Sequence, residues 1–176
     1  MKTQKVQDKN FEIYLEEKTI KQRVSTLSEE IHQAMNGKTP HFIAVLNGAF
    51  VFASDLLRAY SSPCKISFVK LRSYEGLNSS GEVHELIGLN EIPDKECIIV
   101  LEDIIDTGTT LNKIQEIFEK KEWYIATLFF KPKVYAGTRH IDFVGFEIPN
   151  DFIVGYGLDY EGFGRNLKNI YQLEKT

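Results

Sequence analysis

Residues 98–110 read Ile98-Ile99-Val100-Leu101-Glu102-Asp103-Ile104-Ile105-Asp106-Thr107-Gly108-Thr109-Thr110. An apolar run, Ile98 to Leu101, ends in two adjacent acids, and a third acid, Asp106, opens a Thr-Gly-Thr-Thr turn. Leu111, Ile114, Ile117 and Phe118 then fall on one helical face. The stretch predicts a buried strand, an acid pair at its carboxyl end, a tight loop and a helix start.

A helix start offers unpaired backbone N–H groups and a partial positive charge. Thr107, Thr109 and Thr110 add hydroxyls, and Gly108 lets the backbone approach a ligand closely. Asp106–Thr110 is therefore a candidate phosphate cradle. The loop holds no lysine, which sets it apart from a Walker-type nucleotide loop. The nearby acids would repel a bare phosphate. They suit a ribose diol, a divalent cation or the handling of a proton. Taken singly, Asp106 or Thr107 reads as a helix cap, and Glu102 and Asp103 as solvated strand-end charges.

Strands and helices alternate on either side of this unit. Ile20, Val24, Leu27, Ile31 and Met35 predict an amphipathic helix ending near Gly37. A strand from Phe42 to Leu46 is broken by Asn47-Gly48, and a helix from about Phe50 to Tyr60 follows. After Pro63 a strand runs through Ile66, Phe68 and Leu71. Ser73–Glu82 is rich in Gly, Ser and Asn and reads as a mobile loop, followed by a strand at about Val83–Leu89. Trp123–Phe130 is an apolar strand, with short strands at Phe143–Phe146 and Phe152–Tyr156. This order predicts an α/β fold with a mainly parallel sheet flanked by helices. Ligands of such sheets bind at the carboxyl ends of the strands. That directs attention to Asn47-Gly48, Asp103–Thr110, and the segments after Phe130 and Tyr156.

The 176 residues are 43% hydrophobic and 26% charged, enough for one domain with a real core. The net charge of −4 argues against nucleic acid as a main partner. The opening MKTQKVQDKN is polar, so no signal peptide is expected. No apolar run nears the roughly 20 residues of a membrane span, so no membrane partner is expected. Cys64 and Cys97 lack metal spacing and fit a reducing, cytoplasmic setting. His32, His41, His84 and His140 form no ligand pattern.

The string around Glu102–Thr110 closely resembles the phosphoribosyl-pyrophosphate (PRPP) motif of type I phosphoribosyltransferases, most closely the hypoxanthine and hypoxanthine-guanine branch. The resemblance spans about Phe42 to Arg165, with three separated segments agreeing in order and spacing. It implies a single domain over residues 1–176 with a small hood built from the N- and C-terminal segments and a flexible active-site loop. It also implies purine salvage: a 6-oxopurine joined to PRPP with release of pyrophosphate, Mg2+ as cofactor, and a homodimer or homotetramer.

Residue by residue, the resemblance assigns the 5′-phosphate to Asp106, Thr107, Gly108, Thr109 and Thr110. Glu102 and Asp103 would face the ribose hydroxyls and the metal. Asp106 would also serve as general base or hydrogen-bond acceptor at purine N7. Leu46, Asn47 and Gly48 match a strand end, often with a non-proline cis peptide, whose N–H groups hold pyrophosphate. Family members often carry lysine where this chain has Asn47, so here the backbone role remains. Ser73 and Tyr74 belong to a flap that closes over the reacting centre and excludes water. Lys131 matches a lysine that donates to purine O6. Phe152 would stack on the base, with backbone groups at Ile153 and Asp159 reading its edge. Asp159 would touch a second magnesium, and Arg165 pyrophosphate. Two rivals remain: a phosphoribosyltransferase preferring xanthine or guanine, and a PRPP-sensing regulator that binds RNA or DNA. The acidic balance and the intact Lys131 and Phe152 weigh against the regulator.

Overall fold

Ile43, Val45, Ile98, Val100 and Ile125 pack into one core cluster, while Phe42, Ala44, Ile99, Leu101 and Ala126 pack into another. This alternation along adjacent strands means a sheet buried on both faces, as parallel sheets are. The computed structural model describes residues 3–72, 84–87 and 96–175. Its main sheet has six strands: β3 (Pro40–Val45), β4 (Lys65–Arg72), β5 (His84–Ile87), β6 (Cys97–Ile105), β7 (Trp123–Phe130) and β8 (Phe143–Glu147). Their order is β5-β4-β3-β6-β7-β8, parallel except for the edge strand β5.

Helix α1 (Glu17–Met35) buries Ile20, Val24, Leu27, Ile31 and Met35 on one face of this sheet, beside α2 (Phe50–Ala59) with Phe52, Ala53 and Leu56. Helix α3 (Thr109–Ile117) covers the other face with Leu111 and Ile114. Asn36, left-handed at φ 47°, closes α1 just before Gly37. No helix among the described residues is long and apolar enough to cross a membrane.

A second, antiparallel sheet joins the two ends of the chain. It consists of β1 (Thr3–Val6), β2 (Lys9–Leu15), β9 (Ile153–Val154) and β10 (Ile170–Leu173), in the order β1-β2-β10-β9. The sequence reading did not identify β1, β2 or β10, although Phe11, Ile13 and Leu15 alternate. The strand expected over Phe152–Tyr156 shrinks to Ile153–Val154. Gly155 (φ 106°), Tyr156 (φ 48°) and Gly157 (φ 103°) turn left-handed, a conformation no strand continues.

The acid pair also sits differently from expectation. Strand β6 continues through Ile105, so Glu102 and Asp103 lie within it. Beyond Ala44↔Leu101 the neighbour β3 turns away, and only β7 stays paired, with Glu102 opposite Thr127. Glu102 and Asp103 line a cavity there with Val45 and Leu46 at the end of β3.

Candidate active site

Four chain segments meet at the carboxyl ends of the parallel strands. The first is the turn after β3. The Leu46–Asn47 peptide is cis, the geometry that the resemblance associates with this strand end. A Cβ at Gly48 would collide with the Asp103 carboxylate, so this turn lies hard against β6 and a larger residue would have to displace that side chain.

The second is the acid strand and its loop. Leu46, Leu71, Glu102, Asp103, Thr110 and Lys113 line a common cavity of about 220 Å³. Glu102 is 6% exposed, and its Oε2 has no hydrogen-bond partner among the described residues. Burial first, then the charges of Asp103 and Asp106, push its carboxyl well above the usual range. Burial likewise raises Asp103 to about 6, against the opposing effect of the Ile104 N–H that its Oδ1 accepts at 2.9 Å.

Gly108, at φ 87°, is the N-cap of α3, and no side chain caps the helix. The cap reading of Asp106 and Thr107 therefore fails. Asp106 Oδ1 instead accepts the Thr107 N–H at 2.5 Å, and the Thr107 and Thr109 hydroxyls lie 3.0 Å apart. The hydroxyls thus point together at an uncapped helix start. The Tyr135 ring lies against Gly108, and the Ala136 N–H donates to Thr107 O at 3.3 Å.

The third segment follows β7. The Lys131 N–H donates to Ile105 O, tying this end to β6. The lysine is only 8% exposed, and its Nζ donates to Asn150 Oδ1 at 3.4 Å. Asn150 stands two residues before Phe152. The Phe152 ring is 45% exposed and backed by Phe11 and Tyr160, with centroids at 6.3 and 5.8 Å. Ile153 is buried in the second sheet.

The fourth segment is the turn after β9. A Cβ at Gly157 would strike Gly48 O, which shows how closely the two turns pack. Tyr156 donates to Asp55 of α2 at 2.6 Å, anchoring the turn. Arg165 pairs with Asp159 at 2.6 Å and donates to Gly157 O at 2.8 Å, while Asp159 Oδ2 accepts the Gly162 N–H. The expected metal contact and the expected pyrophosphate contact therefore hold each other.

The strand-end residues Leu46, Gly48, Glu102, Asp103, Thr109 and Thr110 are thus brought together, with Arg165 and Asp159 close enough to act on the Asp103 charge. Ile153 lies in β9 of the second sheet, and Phe152 stands just before it. Ser73 and Tyr74 lie outside the described residues. Lys113, Asn150 and Asp55 were not anticipated from sequence. Lys113 had a local signal, one helical turn beyond Thr110; Asp55 had none.

No group of three or more His, Cys, Asp or Glu among the described residues forms a ready metal cage. What the site does supply is a buried, unpartnered carboxylate oxygen beside a second carboxylate. That donor set fits a hard cation that takes its other ligands from phosphate and water.

Comparison with known proteins agrees with this geometry. Residues 10–161 match the family model of the phosphoribosyl transferase domain. The hypoxanthine-guanine phosphoribosyltransferase of Aquifex aeolicus is 37% identical, over 96% of this chain and 98% of that protein. The structure of a hypoxanthine phosphoribosyltransferase from Staphylococcus aureus superposes with a TM-score of 0.85 at 33% identity, covering 93% of this chain and 91% of that one. The Trypanosoma cruzi hypoxanthine phosphoribosyltransferase in complex with the product IMP gives 0.86 at 29% identity, covering 97% of each chain. The fold and strand-end site define a type I phosphoribosyltransferase. The chain belongs to the hypoxanthine and hypoxanthine-guanine branch of that family.

Proposed function

We propose that this chain performs purine salvage by transferring the 5-phosphoribosyl group of PRPP to hypoxanthine, and also to guanine. The products are IMP or GMP and pyrophosphate. The observation that carries this reading is the buried Glu102, whose Oε2 has no partner among the described residues, beside Asp103 at the rim of an uncapped, hydroxyl-rich helix start. A ribose diol with a terminal phosphate satisfies both halves of that arrangement. The IMP complex of the Trypanosoma cruzi relative supports the same product here.

Asp106–Thr110 hold the 5′-phosphate through backbone N–H groups and hydroxyls. Glu102 and Asp103 accept from the ribose hydroxyls and would hold Mg2+, directly or through water. Bound magnesium offsets charge on the leaving pyrophosphate. The N–H groups around Leu46, Asn47 and Gly48 receive pyrophosphate, and Arg165 joins them once its guanidinium leaves Asp159. Asp159, once freed, would contact a second magnesium. A purine nitrogen attacks C1′ as the C1′–O bond to pyrophosphate breaks, so no protein nucleophile is needed. Asp106 accepts the hydrogen bond or proton at N7. Lys131 donates to O6, Phe152 stacks on the ring, and backbone groups at Ile153 and Asp159 read its edge.

The second sheet serves as the hood of a single domain. Free thiols at Cys64 and Cys97 support a cytoplasmic setting. The partly exposed Phe50, Ile66 and Phe68 support assembly as a homodimer or homotetramer.

The test is a base panel of hypoxanthine, guanine, xanthine and adenine with PRPP and magnesium, reading pyrophosphate release. Lys131 finds an acceptor at a 6-oxo group and a donor at the 6-amino group of adenine. Sites of this kind discriminate by about 10⁴–10⁵. Equal kcat/KM for hypoxanthine and adenine overturns the reading. A large ratio that survives in Lys131→Met removes Lys131 as its cause.

A further inference from the structure

Lys113 lines the strand-end cavity together with Glu102, Asp103 and Thr110. It stands three residues after Thr110 on α3, so both project from the same helical face. It is half-buried and makes no ion pair or hydrogen bond among the described residues. The cavity is therefore lined by two carboxylates and by a lysine that is paired with neither.

PRPP is strongly anionic, and the acids of this cavity oppose its entry. Asn47 and the loop Asp106–Thr110 bring no cation to offset them. Arg165 is a cation, but it is engaged by Asp159 and Gly157 O, so its use requires two contacts to break. Lys113 needs no such exchange. An ammonium on a flexible four-carbon stem can meet a phosphate oxygen by rotamer change alone. Successive residues of a strand point to opposite faces. Glu102 therefore projects on the face covered by α3, and Asp103 toward Gly48.

We propose that Lys113 is a substrate-binding residue that contacts the pyrophosphate group of PRPP from the α3 side of the cleft. Its cavity includes Leu46 at the end of β3 and Leu71 at the end of β4, and Leu46 belongs to the turn to which the proposed function assigns pyrophosphate. The 5′-phosphate is already served by N–H groups and hydroxyls at the helix start. The assignment rests on reading this cleft as the PRPP site.

The experiment is steady-state kinetics of Lys113→Met, Lys113→Arg and Thr110→Val in the full chain. Losing one charge-assisted contact is expected to raise the KM for PRPP about tenfold in Lys113→Met. The change in kcat is far smaller, the KM for hypoxanthine stays put, and Lys113→Arg recovers most of the loss. Inhibition by inorganic pyrophosphate with magnesium weakens in parallel, while inhibition by ribose 5-phosphate does not. A KM for PRPP within twofold of wild type in Lys113→Met, with Thr110→Val impaired, overturns the role of Lys113 alone. If neither substitution moves that KM, the cleft is not the PRPP site and both readings fall. Selective loss of ribose 5-phosphate inhibition overturns the assignment to pyrophosphate.

Discussion

A carboxylate oxygen buried without a partner costs free energy, and Glu102 Oε2 is in that state. Its folded pKa lies above its ordinary value, so its protonated form is favoured at low pH and the cost grows as pH rises. At neutral pH, Glu102→Gln is therefore expected to stabilise the ligand-free protein, by on the order of 1 kcal/mol. The same change should reduce turnover with PRPP, because the amide brings donors where a diol and a cation need an acceptor. Calorimetry without ligand reads the first effect; a lowered Tm would mean that Glu102 has a stabilising partner in the protein. Asp106→Asn tests proton handling. Asparagine preserves the shape of the loop but takes no proton, so kcat should drop about 10²–10⁴-fold. The KM for PRPP should move little. Wild-type kcat in this variant would leave Asp106 as a turn-former. The residue types of the site were legible in the sequence because the acids, hydroxyls and glycine are contiguous. Asn150 was not, because an asparagine gains meaning only from the Lys131 ammonium beside it.

At the scale of elements, the turn after β3 touches both β6 and the turn after β9. Asp103 fills the space a Cβ at Gly48 would need. Gly48→Ala must therefore push apart the turn and the carboxylate. A displacement of about 1 Å at a reacting site can cost roughly 10²-fold in rate. We expect kcat/KM for PRPP to drop by about that factor while Tm changes little. Calorimetry and PRPP kinetics together check this, and an unchanged kcat/KM would show that the turn can yield. Elements with strong local periodicity matched their expected spans closely, as α1, α2 and β7 show. Where pairing or backbone conformation decided, the reading slipped. Strand β2 exists through its pairing with β10 at the far end of the chain. The expected strand at Phe152–Tyr156 stops where the left-handed turn begins.

Across the whole molecule, the pH response of substrate binding follows from the raised Asp103 carboxyl. Its folded value is about 6 against an ordinary 3.8. A raised acid stabilises the fold fully below the ordinary value, and that contribution is lost as pH rises through the folded value. Free-protein stability should therefore lose this contribution between pH 3.8 and about 6, while the carboxylate form that the proposed ribose and cation contacts require builds up. The KM for magnesium-bound PRPP is expected to rise as pH falls below about 6 and to level off above it. A flat KM between pH 5 and 8 would separate Asp103 from substrate binding.

The sequence by itself determined the strand–acid–loop–helix unit at 98–118, the alternation that makes an α/β sheet, and through its motifs the phosphoribosyltransferase family. Those features are local: periodicity and turn chemistry act over a few bonds, so they can be read along the chain. Tertiary structure alone decided which groups meet. Tyr156 reaches Asp55 across 101 residues, Gly157 lies on Gly48, Arg165 is held by Asp159, and Glu102 is buried without a partner. Burial, desolvation and pairing depend on neighbours brought together by packing, and the spacing of residues along a chain does not encode those neighbours.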